Sequence, residues 1–358
     1  MSRISEFNPR RNNFDVLRLV LAAMVAVSHG IVISTGSQLM IGSVTLGDLA
    51  VDSFFVLSGF LVARSYLRLD NPLRFAWNRF LRIMPGFWVC LLAVALVAAP
   101  VAALLEGRDA ITPFVAEPSA WSFLIGNAAL LIRQYDIAGL LAGNPTPLVF
   151  VGSLWTLALE AVCYGLLGAL GLLNALRHRG VVLGLTLVVW GLFVVQEFGV
   201  AVPLGDNVLR FALLFLLGAC AHLYGHRIPL RSDLACAATV ALAATVLLVD
   251  NYRVIAAPAL VYALLWVAMG TAWHAPIGAD FSYGLFMYHY PVQQLLVLTL
   301  LGSAPTMVFV VVSVAFSFIP AVVSWYVVER RALSWKNAHF PSWLPVTGRS
   351  SAIRQEPR

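Results

Sequence analysis

The sequence predicts an all-α, polytopic membrane protein: a bundle of about ten transmembrane helices. Hydrophobic residues make up 60% of the 358 residues and charged residues only 11%, whereas soluble proteins are about 25% charged. Apolar runs of roughly 20 residues, the length that crosses a bilayer, recur along the chain. Arginines gather in alternate connections, which is typical of cytoplasmic loops.

The predicted spans can be placed in order along the chain. They cover residues 14–34, 48–67, 83–105, 151–174, 181–198, 207–224, 233–249, 254–272, 281–301 and 306–328. A further apolar run at 121–132 has a length more typical of a re-entrant or interfacial segment. Counting it as a span would place the later basic loops outside, so we leave it out. Both termini are then cytoplasmic.

One membrane domain accounts for nearly the whole chain. Residues 1–13 form a cytoplasmic tail, residues 14–331 the transmembrane domain and residues 332–358 a second cytoplasmic tail. Basic cytoplasmic loops and anionic lipid explain the net charge of +6, so we expect a lipid bilayer and no nucleic acid as partner. The 4 cysteines lie in apolar runs without metal-type spacing, and we expect no metal site.

The first predicted span carries ionisable side chains, which are costly inside a bilayer. Such residues usually face the bundle interior and mark a functional site. Arg18 and His29 lie eleven positions apart, which places them on nearly one helix face, about 16 Å apart along the axis. An imidazole exchanges protons near neutral pH, so His29 is a candidate general base.

Two carboxylates are candidates to orient His29. Asp52 lies about one turn into the second span, and Glu160 lies about 13 Å into the span that starts near residue 151, at a depth similar to that of His29. A carboxylate beside an imidazole fixes its tautomer and stabilises its protonated form. Alternatively, Glu160 neutralises an arginine and only holds the bundle together.

Arg79 and Arg82 form an Arg-x-x-Arg pair in the cytoplasmic loop or at the start of the third span. Residues three apart share a helix face, and two guanidiniums can clamp phosphate oxygens. The simpler alternative is the ordinary positive charge of a cytoplasmic loop. Tyr288 and His289 belong to an aromatic segment, residues 283–290, that could stack on a nucleotide base, line a tunnel or form an interfacial belt.

Together these motifs resemble the acyltransferase-3 family of integral membrane O-acyltransferases, which modify bacterial surface polysaccharides. The matching pieces are spread over residues 14–331, and their order and spacing carry the resemblance. They are Phe14-Asp15-x-Leu17-Arg18 followed by ten residues and then His29; Val51 to Phe60; Arg79 to Pro85; Ser153 to Glu160; Tyr283 to Pro291; and Trp325 to Arg330.

The resemblance implies an enzyme of the bacterial inner membrane. It would move an acyl group, usually acetyl, from cytoplasmic acetyl-CoA to a hydroxyl of a carbohydrate or glycolipid. The family's arginine-then-histidine motif falls on Arg18 and His29, and its paired arginines fall on Arg79 and Arg82. These arginines are expected to hold CoA phosphates, although Arg18 could instead keep its helix in register.

The remaining candidate residues complete this hypothesis. Tyr288 and His289 are expected in the donor site, beside a tunnel for the pantetheine arm. His29, oriented by Glu160 or Asp52, would remove the proton from the acceptor hydroxyl, a role that typically contributes about 10²–10⁴-fold to the rate.

A secondary transporter is the main alternative, because intramembrane His, Glu and Arg also build proton or substrate relays. Transporters often show repeated halves and broken helices near the midplane. We find no such repeat, and the arginine pair lies at one mouth of the bundle. Turnover distinguishes the two hypotheses, since only an enzyme consumes acyl-CoA and releases free thiol.

Overall fold

The structure, a computed structural model, describes residues 3–8, 12–69, 71–271 and 278–338. Within these ranges the chain is almost wholly helical, and two short strands, β1 (Met40–Ile41) and β2 (Val44–Thr45), form an antiparallel hairpin. The predicted all-α membrane fold is confirmed. The predicted C-terminal tail lies outside the described residues from position 339 onward.

Fourteen α-helices appear in the described part of the chain, with short 3₁₀ turns at Ile4–Glu6, Ala175–Arg177 and Leu300–Ser303. A π-helical turn, Val94–Ala98, joins α3 to α4, and another, Trp325–Glu329, joins α13 to α14. The helices are α1 (Phe14–Thr35), α2 (Leu46–Leu69), α3 (Pro72–Ala93), α4 (Ala99–Leu105), α5 (Thr112–Val115), α6 (Ala120–Asn127), α7 (Trp155–Leu172), α8 (Arg179–Glu197), α9 (Asp206–Leu223), α10 (Ser232–Leu248), α11 (Arg253–Met269), α12 (Ser282–Val297), α13 (Thr306–Ser324) and α14 (Arg330–Ala338).

Ten of the described helical stretches correspond to the predicted spans. Seven are long and apolar enough to cross a membrane: α1, α2, α3 continued through α4, α7, α8, α9, and α13 continued into α14. The helices α10 and α11 are apolar but shorter, and α12 has 16 residues. The structure therefore agrees with the predicted number of spans, while their inward or outward direction stays a prediction.

The apolar run at 121–132 does not form a spanning helix. Its helical part lies in α6, which has 8 residues, and α6 packs against the π turn that follows α3. The Trp88 indole nitrogen donates to the carbonyl of Ala128 at 2.9 Å, and Leu130 lies in a groove beside Met84. The segment thus lies along α3 without crossing, which agrees with its exclusion from the count.

The loop predicted between the second and third spans, residues 68–82, is too long. The helix α2 continues to Leu69 and α3 begins at Pro72, so Arg79 and Arg82 lie within a helix. Asn71 caps α3, because its side-chain oxygen accepts from the backbone N–H of Arg74 at 2.9 Å, and proline suits a first helical turn. Hydropathy missed this start because the first turns of α3 are polar.

The helix α2 lies at the centre of the bundle and packs against α1, α3, α7, α9 and α11. Its closest approach is to α9. A Cβ on Gly59 would lie 1.9 Å from the Phe215 carbonyl oxygen, and one on Gly218 would lie 2.1 Å from that of Val56. Gly59 and Gly218 permit this close contact, since small residues let membrane helices approach.

The helices α1, α12 and α13 form a second tightly packed group. The Gln293 amide of α12 donates to the Ala26 carbonyl of α1 at 2.8 Å, and a Cβ on Gly30 would lie 3.0 Å from that amide nitrogen. On the other side, a Cβ on Gly284 would lie 2.8 Å from Ala321 of α13. This packing brings the side chains of α1 and α12 face to face at the site described next.

Candidate active site

Two histidines from distant parts of the sequence meet between α1 and α12. His29 Nδ1 lies 2.8 Å from His289 Nε2, and the two imidazole rings are parallel to within 8°. His289 is fully buried and His29 is partly buried. His289 was expected in the donor site; the structure instead places it against the candidate base.

The hydrogen bonds fix the tautomers of this pair. His289 Nδ1 lies 3.0 Å from the Leu285 carbonyl oxygen, which can only accept, so this nitrogen carries the proton. In a neutral imidazole the other nitrogen is then an acceptor. His29 Nδ1 therefore donates to His289 Nε2, and the lone pair of His29 Nε2 has no partner among the described residues. A neutral histidine with a free Nε2 is competent to accept a proton from a hydroxyl.

Neither predicted carboxylate orients His29. Asp52 is fully buried and accepts from Arg210 Nε at 2.7 Å, from Arg253 Nε at 2.6 Å and from the Tyr252 hydroxyl at 2.6 Å. It thereby ties α2 to α9 and α11, away from α1. The expected pairing of Asp52 with His29 is corrected, because both carboxylate oxygens are engaged by the arginines and the tyrosine.

Glu160 also has other partners. It accepts from the Ser58 hydroxyl at 3.1 Å and from the hydroxyl of Tyr164, one turn further along α7. Arg79 lies beside this group, with its guanidinium carbon 5.5 Å from the Tyr164 ring centre. Among the described residues, the acceptor for His29 is His289, so the expectation that Glu160 fills this role is corrected too.

A cavity of about 220 Å³ opens beside His29. Its wall is mixed in character: the imidazole lies with Asp48, Trp155 and Arg210, and with further small polar and apolar groups. Arg210 is not a free cation, because it donates to Asp48 at 2.9 Å as well as to Asp52. We call this space the outer cavity, since the predicted topology places it in the outer half of the membrane.

A second, smaller cavity of about 50 Å³ adjoins the first. Arg18, Ser58, Glu160 and Tyr283 contribute to its wall. We call it the inner cavity, because Arg18 lies near the start of α1. The two cavities share three lining residues, Val51, Thr156 and Phe286. The two cavities adjoin each other, while a tunnel for a pantetheine arm stays a prediction.

Arg18 and Arg82 converge on a carboxylate that the sequence analysis did not single out. Asp280 Oδ2 lies 2.7 Å from Arg18 Nη1 and 2.5 Å from Arg82 Nη2. Burial raises the pKa of the Asp280 carboxyl, but the two guanidiniums outweigh this and hold its pKa well below the usual range. One ionised carboxylate between two cations leaves the group with a net positive charge.

Arg79 has a different environment. Among the described residues it forms no ion pair, and its buried Nε has no hydrogen-bond partner. Its guanidinium lies over the rings of Tyr164 and Phe75, with centroid distances of 5.5 Å and 5.9 Å. Arg79 therefore retains the donors that a phosphate would need.

Two further residues of the matched motifs are buried nearby. Tyr288 lies in the main hydrophobic cluster and, of the described residues, is not among those that line either cavity. Glu329 ends the π turn after α13; its Oε1 accepts from the Ser324 hydroxyl at 2.9 Å, and its buried Oε2 has no partner in the described part of the chain. Glu329 was not among the predicted site residues, although it lies within the last matched motif, Trp325 to Arg330.

The described part of the chain offers no cluster of metal ligands. In the described ranges, no set of three or more His, Cys, Asp or Glu side chains is placed to hold a metal ion. The four cysteines are free thiols; Cys90, Cys163 and Cys220 are buried, and Cys236 is exposed.

Comparison with known proteins points to one class of enzyme. A family model described as an acyltransferase domain matches residues 11–326. The chain is 26% identical over 339 residues to a Shigella phage Sf6 protein named O-acetyl transferase, covering 91% of this chain and 97% of that protein. It is 25% identical over 364 residues to nodulation protein 10 of Rhizobium leguminosarum bv. viciae, covering 92% of this chain and 95% of the relative. No solved structure matches the chain.

Proposed function

This chain belongs to the acyltransferase-3 family of membrane O-acyltransferases, and from that premise we propose its donor, its acceptor and its site residues. The donor is acetyl-CoA from the cytoplasm, and the acceptor is a hydroxyl of a carbohydrate or glycolipid at the opposite face of the bacterial inner membrane. The observation that supports this most directly is the series of groups through the bundle. An arginine cluster (Arg18, Arg79 and Arg82), the inner cavity, the outer cavity and the pair of His29 and His289 follow one another.

At the donor end, Arg79 is the first candidate for a CoA phosphate, since it forms no ion pair among the described residues and its buried Nε has no hydrogen-bond partner there. Arg82 and Arg18 each give one donor to Asp280, and a guanidinium has five N–H donors in total. Both can therefore contact a phosphate while keeping the ion pair. Asp280 would hold the two guanidiniums in a fixed geometry before the donor arrives.

At the acceptor end, the outer cavity supplies groups that suit a sugar. The carboxylate of Asp48 and the guanidinium of Arg210 offer an acceptor and donors for hydroxyl groups. Trp155 offers a large apolar surface with a polar edge. The relative from phage Sf6 is named an O-acetyl transferase, which supports acetyl as the transferred group.

The chemical step follows from the tautomer of His29. Its Nε2 takes the proton of the acceptor hydroxyl while the oxygen attacks the thioester carbonyl carbon. The tetrahedral adduct then breaks its carbon–sulfur bond, and the proton on Nε2 passes to the leaving thiolate. An ester and free CoA thiol result. His289 touches no reacting atom; it holds the His29 ring in place and accepts its Nδ1 hydrogen throughout.

The test is transfer of labelled acetyl from acetyl-CoA to a glycolipid fraction by membranes that contain the protein. We compare wild type with His29→Ala at matched protein levels, and with His178→Ala as a control, since His178 is exposed and lies in a loop. We expect labelled acceptor and free thiol in wild type and the control, and a loss of about 10²-fold or more in His29→Ala.

Other outcomes would separate the hypotheses. Equal labelling in wild type and His29→Ala would remove His29 as the base. Absence of labelling, of free thiol and of acetyl-CoA binding in all three proteins would contradict the proposed donor and favour the transporter alternative.

A further inference from the structure

The boundary between the two cavities is formed by three side chains from three helices. Val51 of α2, Thr156 of α7 and Phe286 of α12 line both the inner and the outer cavity. The other lining residues belong to one cavity or the other: Arg18 and Glu160 to the inner, His29 and Arg210 to the outer. We call these three residues the ring.

The ring lies between the two ends of the proposed reaction. Phe286 makes an edge-to-face contact with Phe54 of the inner cavity and another with His289. In both cases the centroids of the two aromatic side chains lie 6.1 Å apart. The Phe286 side chain therefore contacts both Phe54, on the donor side, and His289, the hydrogen-bond partner of the proposed base. A thioester that arrives from the arginine cluster must reach this ring before the acceptor oxygen can attack it.

The ring is held in place by its surroundings. The Ser153 hydroxyl donates to the Phe286 carbonyl at 3.2 Å, and the Thr156 hydroxyl donates to the Ser153 carbonyl at 3.2 Å. Gly284, two residues before Phe286, is pressed against Ala321, since a Cβ there would lie 2.8 Å from that residue. Because backbone contacts and close helix packing fix the ring, widening it to admit a bulky group costs free energy.

The volumes of the two cavities indicate which acyl groups the ring admits. The inner cavity has about 50 Å³ and the outer cavity about 220 Å³, so the inner cavity is much the smaller space. That suits a thioester with a very short acyl chain. A longer chain would have to pass the ring and would then occupy the outer cavity, where the acceptor belongs.

We propose that Val51, Thr156 and Phe286 form the acyl-chain filter of this enzyme, restricting the donor to short acyl groups such as acetyl, and that they also separate the thioester from water in the outer cavity. This inference rests on the proposed function, because it assumes that an acyl-CoA enters through the inner cavity. In a hydrophobic pocket, one methylene changes the discrimination between substrates by about 10–200-fold. Removing part of the ring should therefore change the relative kcat/KM of donors that differ in chain length by a similar factor.

The experiment measures kcat/KM for acetyl-, propionyl-, butyryl- and hexanoyl-CoA with a common acceptor. Phe286→Ala and Phe286→Leu widen the ring strongly and moderately, while Val51→Ala and Thr156→Ser remove only methyl groups. Phe193→Ala is the matched control, because Phe193 is buried in a separate cluster and lines neither cavity among the described residues. Size-exclusion profiles and melting temperatures verify that each variant is folded.

We expect the ratio of butyryl to acetyl transfer to rise about tenfold or more in Phe286→Ala, less in Val51→Ala, and not at all in Phe193→Ala. Without acceptor, release of CoA thiol from acetyl-CoA should also increase in Phe286→Ala, because water then reaches the thioester.

A wild-type chain-length profile in folded Val51→Ala, Phe286→Leu and Phe286→Ala, with acetyl still transferred, would overturn the filter and leave the proposed function intact. Absence of transfer by the wild type from any of the four donors would instead overturn the proposed function, and the filter with it.

Discussion

At the scale of single residues, the reactive state of His29 depends on a neighbour that need not touch any substrate. His289 receives the Nδ1 hydrogen of His29 and is itself fixed by the Leu285 carbonyl. In many enzymes a carboxylate fills this position and stabilises the charged imidazolium. Here a neutral imidazole fills it, so His289 can orient the His29 side chain without adding a second charge to the bundle.

This arrangement predicts different outcomes for two substitutions of His289. His289→Gln keeps an acceptor near the former Nε2 position, so we expect transfer to stay within a few-fold of wild type. His289→Leu removes the acceptor, and transfer should fall by about tenfold or more, as part of the 10²–10⁴ that a general base supplies. The measurement is kcat against pH for both variants. Equal loss in folded Gln and Leu variants would contradict the orienting role.

The two arginines of the Arg-x-x-Arg pair should also behave differently. Arg79→Ala removes a cation that has no ion pair in the described part of the chain, so acetyl-CoA should bind about 10–100-fold more weakly, since a hydrogen bond to a charged group contributes about 1.5–3 kcal/mol. The melting temperature should hardly change. The measurement is calorimetric titration with acetyl-CoA, together with thermal unfolding in detergent.

Arg82→Ala should weaken binding and lower the melting temperature as well. It leaves the Asp280 carboxylate with Arg18 as its cationic partner, and loss of one member of a buried pair costs up to about 3–5 kcal/mol. Similar melting temperatures for both variants would show that Asp280 does not depend on Arg82.

At the scale of elements, the position of α2 decides which groups meet. Asp52 ties it to α9 and α11 through Arg210 and Arg253, while Ser58 reaches α7 through Glu160. The same helix contributes Val51 to the ring. A small rotation of α2 would therefore disturb the buried ion pairs and both cavities together.

The contact of α2 with α9 gives a test at this scale. We expect Gly59→Ala to destabilise the protein by about 1–3 kcal/mol or more, as overpacking does, because the new Cβ would lie 1.9 Å from the Phe215 carbonyl oxygen. Gly184→Ala is the control, since a Cβ there meets nothing within 4 Å and alanine is favoured in helices by about 0.5–1 kcal/mol. Equal melting temperatures for the two variants would refute the tight contact.

At the scale of the whole molecule, the proposed reaction requires a fixed direction across the membrane. The arginine cluster must face the cytoplasm, where acyl-CoA is found, and the outer cavity must face the opposite side. The basic connections at 177–179 and 226–231 agree with this direction.

Direction can be tested with single cysteines in a background that lacks the four native ones. A membrane-impermeant thiol reagent should label Ser37→Cys in intact cells, because this exposed residue follows α1. Arg227→Cys, also exposed, should react only after the membrane is opened. The reverse pattern would invert the topology and exclude a cytoplasmic donor at the arginine cluster.

Several features of the site were within reach of the sequence. Charges inside apolar runs identified Arg18, His29, Asp52 and Glu160 as residues with a role in the interior, and each is engaged in the structure with a polar partner. The start of α3 was not found from hydropathy, because its first turns carry arginines; the Asn71-Pro72 capping signal could have located it. Asp280 gave no comparable signal, since it lies outside the apolar runs.

The sequence by itself determined the membrane class, the number of spans and three residues that line the cavities, Arg18, His29 and Glu160, because bilayer length and the cost of buried charge act on local stretches of chain. Only the tertiary structure decided which of these residues meet. His29 pairs with a residue 260 positions away, and Asp280 closes an ion pair with Arg18, 262 positions away. Helix depth can be counted along one chain, but helix rotation and neighbours are set by close packing between helices, which sequence spacing does not encode.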